Sequence, residues 1–303
     1  MRYTKEVETS GNRAVSYVLW FLGLGLLLLA ANLYSRHSDK NIAFSKWSSF
    51  IKEIKPCVEE YPYNAGLIIH DLKYGFSYSS GGHEKFISAS LIKLPIMCAV
   101  FKKAHEGEIS LHDTIVLKKH HKVSGSGSLR KVAPGAEYSI IGLIKIMISE
   151  SDNTAAKMLT EHIGIDEMNR VFEEMGLEDT NISDQSFRMT GRRVKDESYT
   201  TPYDIAGLLE RIYFGEFLSN NLSAEIVEIL KLPEDTSRLS RYLPEQFELA
   251  HKTGLLRGAC HDAGILFTPR GDYLICVMTK QNRQYAAAKK FIAQIGKLAY
   301  QQI

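Results

Sequence analysis

Phe86-Ile-Ser-Ala-Ser-Leu-Ile-Lys93 is the stretch on which the fold turns. Phe86 and Ile87 end an extended segment and a helical run opens at Ser90, so the chain passes here from sheet to helix. Upstream, Asn64-Ala-Gly-Leu-Ile-Ile-His70 is apolar and β-branched, Asp71 to Gly75 makes a turn, and Phe76-Ser-Tyr-Ser79 alternates, which gives two strands. Downstream to about Leu232 the pattern is helical. The clear runs are Ile140–Ile148 with Ser139 as cap, Ala155–His162, and a helix from the Thr201 cap and Pro202 to about Tyr213. Beyond Phe247 strands return, as Ile265–Thr268 and Tyr273–Met278 around the turn Pro269-Arg-Gly-Asp272. Ala286–Tyr300 closes the chain as an amphipathic helix. Strands early and late around a helical block predict an α+β fold. One antiparallel sheet is flanked by the terminal helices, with an all-α subdomain beside it. The sheet lobe is expected over 44–85 and 245–303 and the helical lobe over 86–244, with a cleft between them as the natural place for a site.

The 303 residues are 45% hydrophobic and 24% charged, which excludes disorder, collagen and coiled coil. A net charge of +2 lacks the basic excess of a nucleic-acid binder. Four cysteines without a Cys-x-x-Cys pair exclude zinc ribbons and dithiol redox chemistry, although Cys260 and Cys276 could pair in an oxidising compartment. The histidines, among them His105, His112, His120 and His121, form no His-x-x-x-His set and read as surface or loop residues without a metal. One segment is not ordinary. From Ala14 to Ser35, 22 residues carry no charge, and as a helix they span roughly 33 Å, enough for a bilayer core. Tyr17, Trp20 and Tyr34 lie near its ends as interfacial aromatics do. A cleaved signal peptide would have a shorter apolar run and a small-x-small site, of which Leu29-Ala30-Ala31 is a poor version. A single-pass anchor is therefore expected over 14–35, after a short cytoplasmic tail at 1–13. A polar linker is expected at 36–43, then a helix over Phe44–Lys55 that Pro56 ends.

Three short motifs carry chemistry: Ser90-Leu-Ile-Lys93, Ser151-Asp-Asn153 and Lys252-Thr-Gly254. Ser-x-x-Lys also occurs at Ser49/Lys52 and Ser128/Lys131, but the first lies on an ordinary amphipathic helix and the second in a Gly-rich loop. At Ser90 the helix start favours a developing oxyanion. Lys93, between Ile92, Leu94 and Pro95, is expected to be desolvated, which disfavours the ammonium and lets the amine act as base. Ser124-Gly-Ser-Gly-Ser128 lacks the strand, lysine and helix of a phosphate loop and is expected to line the cleft mouth.

Taken together, these motifs resemble those of the class A β-lactamase and penicillin-binding serine hydrolase superfamily. The resemblance covers about Phe44–Ile303 and extends to Gly107-Glu-Ile-Ser-Leu111, Gly125-Ser-Gly127, Pro134-Gly135, Ser151-Asp-Asn-Thr-Ala155, Thr200-Thr-Pro202 and His261-Asp262. It implies a β-lactamase-like fold with a five-stranded sheet and a metal-independent, cofactor-free acyl-enzyme mechanism. Ser90 would attack the acyl carbonyl, Lys93 would take or relay its proton, and Ser151 would pass the proton to the leaving nitrogen. Asn153 would bind the substrate amide and Lys93. Lys252 and Thr253, on an edge strand, would hold the substrate carboxylate, and Gly254 would let the substrate backbone lie close. Backbone N–H groups of Ser90 and Leu255 would form the oxyanion hole, and Asp152 would be structural. The partners implied are a β-lactam or a peptidoglycan peptide, with the body outside the bacterial cytoplasmic membrane.

The sequence departs from the family at one place. Class A β-lactamases carry Glu-x-x-Leu-Asn before Thr-Thr-Pro, and that Glu activates the deacylating water. Here the corresponding stretch is 181–191, with Asp184 the nearest acid and Gln185 about where the Glu is expected. Slow β-lactam hydrolysis is therefore expected. The alternatives are a D,D-peptidase acting on peptidoglycan peptides and a β-lactam-binding receptor without turnover.

Overall fold

The structure, a computed structural model, describes residues 4–187 and 196–301. Residues 1–3 of the expected tail and 188–191 of the 181–191 stretch lie outside the described residues. The chain divides into two compact units, Met1–Ser49 and Phe50–Ile303. Helix α1, Thr4–Glu59, begins in the first. Its apolar residues there, including Trp20, Phe21 and Leu27, are exposed. The linker expected at 36–43 is helical instead, and Pro56 lies inside the helix. No Gly or Pro interrupts residues 26–55, so the helix propagates through the polar stretch. Pro56 comes so late that the single hydrogen bond it removes does not stop the last turn.

In the second unit, β1 (Asn64–Asp71) and β2 (Phe76–Ser80) form a hairpin, and the two-residue β3 (Phe86–Ile87) leads into a 3₁₀ turn, Ala89–Ile92. Helix α2 (Lys93–His105) follows, then β4 (Thr114–Val116), β5 (Glu137–Ser139), α3 (Ile140–Ser149), α4 (Asn153–Ile163) and α5 (Ile165–Glu174). The short β6 (Tyr199–Thr200) precedes α6 (Pro202–Tyr213) and α7 (Asn220–Leu230). The chain closes with β7 (Glu248–Leu256), β8 (Ala259–Phe267), β9 (Tyr273–Lys280) and α8 (Tyr285–Gln301). As expected, Ser139 and Thr201 accept hydrogen bonds from the first turns of α3 and α6.

The five-stranded sheet has the order β2-β1-β9-β8-β7, with every neighbouring pair antiparallel. The early hairpin thus joins the late strands at the β1–β9 pair, and β7 is an edge. Strands β8 and β9 are buried almost throughout because α8 packs on one face and α6 on the other. The largest core lies among the helices, where α2 is buried from Lys93 to Phe101. A charged lysine does not belong in such a setting without a reason. Cys260 and Cys276, which could have paired, are separate buried thiols, and the residue opposite Cys276 on β8 is Ala263.

Candidate active site

Ser90 does not open an α-helix. It sits in the 3₁₀ turn, and α2 starts only at Lys93. Ala89 has φ 46°, a conformation costly for a residue with a Cβ, and the Leu91 N–H closes a tight turn on Ser88 O at 3.0 Å. Ser151, before α4, is likewise strained at φ 54°. Such strain is held by its surroundings and clusters at functional sites. Asp152, expected to be structural, caps α4 through Ala155 N–H at 2.8 Å and accepts Leu129 N–H at 2.9 Å.

These turns converge on Lys93, which is 2% exposed. Its Nζ lies 3.1 Å from Ser90 Oγ, 3.1 Å from Ser151 Oγ, 2.6 Å from Ser151 O and 2.7 Å from Asn153 Oδ1. Asn153 Nδ2 donates to Ser124 O at 3.0 Å, which fixes the amide with its oxygen toward the lysine. Burial pushes the Lys93 ammonium well below its ordinary range, the nearby Lys252 charge adds to this, and Asp152 opposes it. A neutral amine has two N–H groups and one lone pair. Ser151 O and Asn153 Oδ1 can only accept, so they take both N–H groups. The lone pair is left to a hydroxyl, and Ser90 is placed to donate to it. That is the geometry of a serine with its base.

Lys252, buried on β7, lies 3.1 Å from Ser151 Oγ, so this hydroxyl bridges the two lysines. Burial lowers the Lys252 ammonium to about 8, with Asp262 opposing and Arg238 reinforcing the shift. Gly254 brings β7 against the nucleophile turn. A Cβ there would lie 3.3 Å from Ala89 Cβ and 3.4 Å from Leu91 N. The strand is pinned from behind. His261 is fully buried, its Nδ1 accepts Thr279 N–H at 3.1 Å, and its Nε2–H therefore donates to Ile87 O at 2.8 Å. Burial lowers its pKa to about 4, which keeps it neutral in this role.

A cavity of about 370 Å³ opens over these groups. Ser90, Lys93, Ser151, Asn153, Thr253 and Leu255 line it, whereas Lys252 and Gly254 are not among the lining residues. Gly125 and Ser126 also line it, as expected of that loop, and Ser126 Oγ–H donates to Ser151 O at 2.6 Å. Two charged lining residues have no counterpart in the sequence reading, Arg238 and Glu197. Arg238 is buried, pairs with Asp235 through Nη1, and has no acceptor for Nε–H among the described residues. Glu197 is the one lining carboxylate among the described residues. Neither Asp184 nor Gln185 lines the cavity. Asp184 is exposed, and Gln185 Nε2 donates to Asp196 Oδ2 at 2.5 Å.

The histidines also depart from expectation, since His121, His251 and His261 are buried. His120 Nε2 and His121 Nε2 each lie 3.2 Å from Glu161 Oε2, a grouping with the ligand types of a metal site. Lys118 N–H donates to His121 Nδ1 at 3.0 Å, however, which puts the proton of neutral His121 on Nε2, facing Glu161.

The body is similar to solved structures over 84% of this chain. A β-lactamase from Sphaerobacter thermophilus is 30% identical with a TM-score of 0.76, 97% of it being covered. PBP-A is also 30% identical with a TM-score of 0.76, 95% of it being covered. In sequence, a β-lactamase of Bacteroides uniformis is 25% identical over 234 residues, 72% of this chain and 79% of that one. The β-lactamase AER-1 of Aeromonas hydrophila is 24% identical over 239 residues, 76% of this chain and 78% of that one. Residues 49–303, the whole of the body that holds the Ser90 cavity, match the beta-lactamase enzyme family, and the chain belongs to that family.

Proposed function

We propose that this chain is a membrane-anchored, extracytoplasmic serine acyl-hydrolase that β-lactams acylate at Ser90. The observation that carries this reading is the set of contacts around Lys93 Nζ, whose two carbonyl acceptors leave its lone pair to the hydroxyls of Ser90 and Ser151. Lys93 takes the proton as Ser90 Oγ bonds to the lactam carbon. Ser151, between Lys93 and Lys252, passes a proton to the departing nitrogen. The backbone N–H groups of Ser90 and Leu255, brought together where β7 meets the turn, receive the oxyanion. Asn153 holds the side-chain amide. Thr253 and Lys252, with the guanidinium of Arg238 nearby, hold the carboxylate. A mutant of PBP-A has been crystallised as an acyl-enzyme complex with penicillin G, which supports the same chemistry here. The apolar part of α1 is long enough to serve as the anchor.

Turnover is expected to be slower than with the family's usual Glu, because the segment that carries that Glu places neither Asp184 nor Gln185 in the cavity. The same observation favours a second reading, in which the natural substrate is a peptidoglycan peptide and the β-lactam is its mimic. Steady-state assays on a penicillin and on a peptidoglycan peptide test both. The first reading expects slow, Ser90-dependent penicillin hydrolysis. Fast cleavage of the peptide beside a long-lived penicillin adduct would favour the second. No reaction with either would remove both.

A further inference from the structure

The ladder between β3 and β6 reaches farther than its two pairs. Phe86 faces Thr200 and Ile87 faces Tyr199, and Ser88 N–H then donates to Ser198 O at 2.9 Å. Glu197 is the residue before Ser198 on this segment, and it lines the cavity together with Ala89 and Ser90. Its backbone is fixed there from two sides. Ser88 Oγ–H donates to Ser198 O at 3.1 Å, and Asn181 Nδ2 donates to Glu197 O at 3.3 Å. The side chain is 2% exposed and lines the cavity with Ser90, Ile182 and Leu256. A carboxylate is expensive in such a wall unless it is paired. The partner is Arg257, two residues beyond Leu255, whose Nη1 donates to Glu197 Oε1 at 2.6 Å. The bond ties the end of β7 to the segment beneath Ser90 and fixes how the carboxylate faces the cavity.

We propose that Glu197 is the general base that hydrolyses the Ser90 acyl-enzyme, and that Arg257 is its positioning residue. The proposal rests on acylation at Ser90 as argued above. Glu197 takes a proton from water as the water oxygen bonds to the acyl carbon. The tetrahedral adduct collapses, the C–Oγ bond breaks, and the proton held by Glu197 is passed to Ser90 Oγ. The product leaves as a carboxylic acid and ionises in solution. The residue comes from the segment that leads into β6 rather than from the segment around Gln185.

The test uses the full chain in detergent, acylated with benzylpenicillin, freed of excess and followed by intact mass. Glu197→Gln should acylate at the wild-type rate and hold its acyl group about 10²–10⁴-fold longer. Hydroxylamine, a nucleophile that needs no base, should discharge both acyl-enzymes equally. Arg257→Ala should also lengthen the lifetime, and the double variant should be no slower than Glu197→Gln, because Arg257 acts only through the carboxylate. Equal lifetimes in wild type and Glu197→Gln would overturn the proposal. So would a Glu197→Gln adduct that resists hydroxylamine as well, since that marks a collapsed cavity. Should Glu197→Gln not fold, Glu197→Asp replaces it, with an intermediate lifetime expected and an unchanged one contradicting. A wild type that never labels fails at acylation, which is a failure of the function on which the proposal rests.

Discussion

Lys93 and Lys252 show how two residues of one type are given different work by their surroundings. Both are buried, yet Lys93 meets two obligate acceptors and two hydroxyls, whereas Lys252 meets Ser151 Oγ and the Thr253 carbonyl. In the proposed mechanism the first serves as a neutral base and the second as a cation for the substrate carboxylate. With its ammonium lowered to about 8, Lys252 loses its charge as pH rises through that value. The acylation rate at low penicillin concentration should therefore fall above about pH 8, through weaker binding rather than slower chemistry. A rate that stays flat to pH 10 would assign the carboxylate to Arg238 instead. Lys93 and Ser90 could be found in the sequence because three residues of spacing and an apolar flank are local properties. Glu197 and Arg238 could not. Glu197 reaches the cavity because β6, just after it, pairs with β3, and Arg238 lies in an irregular segment with only a local partner, Asp235, so no periodic pattern points either residue to the cavity.

At the scale of elements, the sequence was most informative where a side-chain cap or an alternating pattern decides the structure. Ser139, Thr201 and the β8–β9 hairpin are of this kind. It was misleading where burial or strain overrides the pattern. Strand β7 does not alternate, because His251, Lys252 and Thr253 are all buried, and resemblance rather than period placed it at an edge. The turn at Ala89 replaces a helix start with a strained 3₁₀ turn, so a helix end was expected at Ser90 and occurs at Lys93. The 3₁₀ segment Asp184–Phe187 bears on turnover. Restoring the family's acid by Gln185→Glu looks attractive from sequence alignment of motifs. In the folded chain the new carboxylate would stand against Asp196 and outside the cavity lining. Gln185→Glu should leave the lifetime of the penicillin adduct within about twofold of wild type and cost stability by like-charge repulsion, on the order of 0.5 kcal/mol at so exposed a pair. A deacylation rate raised tenfold would show that the segment moves into the cavity.

At the scale of the whole molecule, the chain carries the body with the proposed acylation site and a helix whose first part is apolar and exposed. Composition made the apolar run plain, but the continuity of α1 through the polar residues 36–43 was not, since polarity alone does not break a helix. Removal of residues 1–35 should give a body that stays in solution and still reacts with penicillin. Persistent membrane association of that truncated chain would mean that a second surface binds lipid. The most direct measurement on the full chain is intact mass after incubation with benzylpenicillin, followed by peptide mapping. One adduct, located on Ser90 and absent from Ser90→Ala, is the expected result. An adduct that survives in Ser90→Ala, or maps to Ser49 or Ser128, would contradict the assignment of Ser90 and Lys93 as the reacting pair.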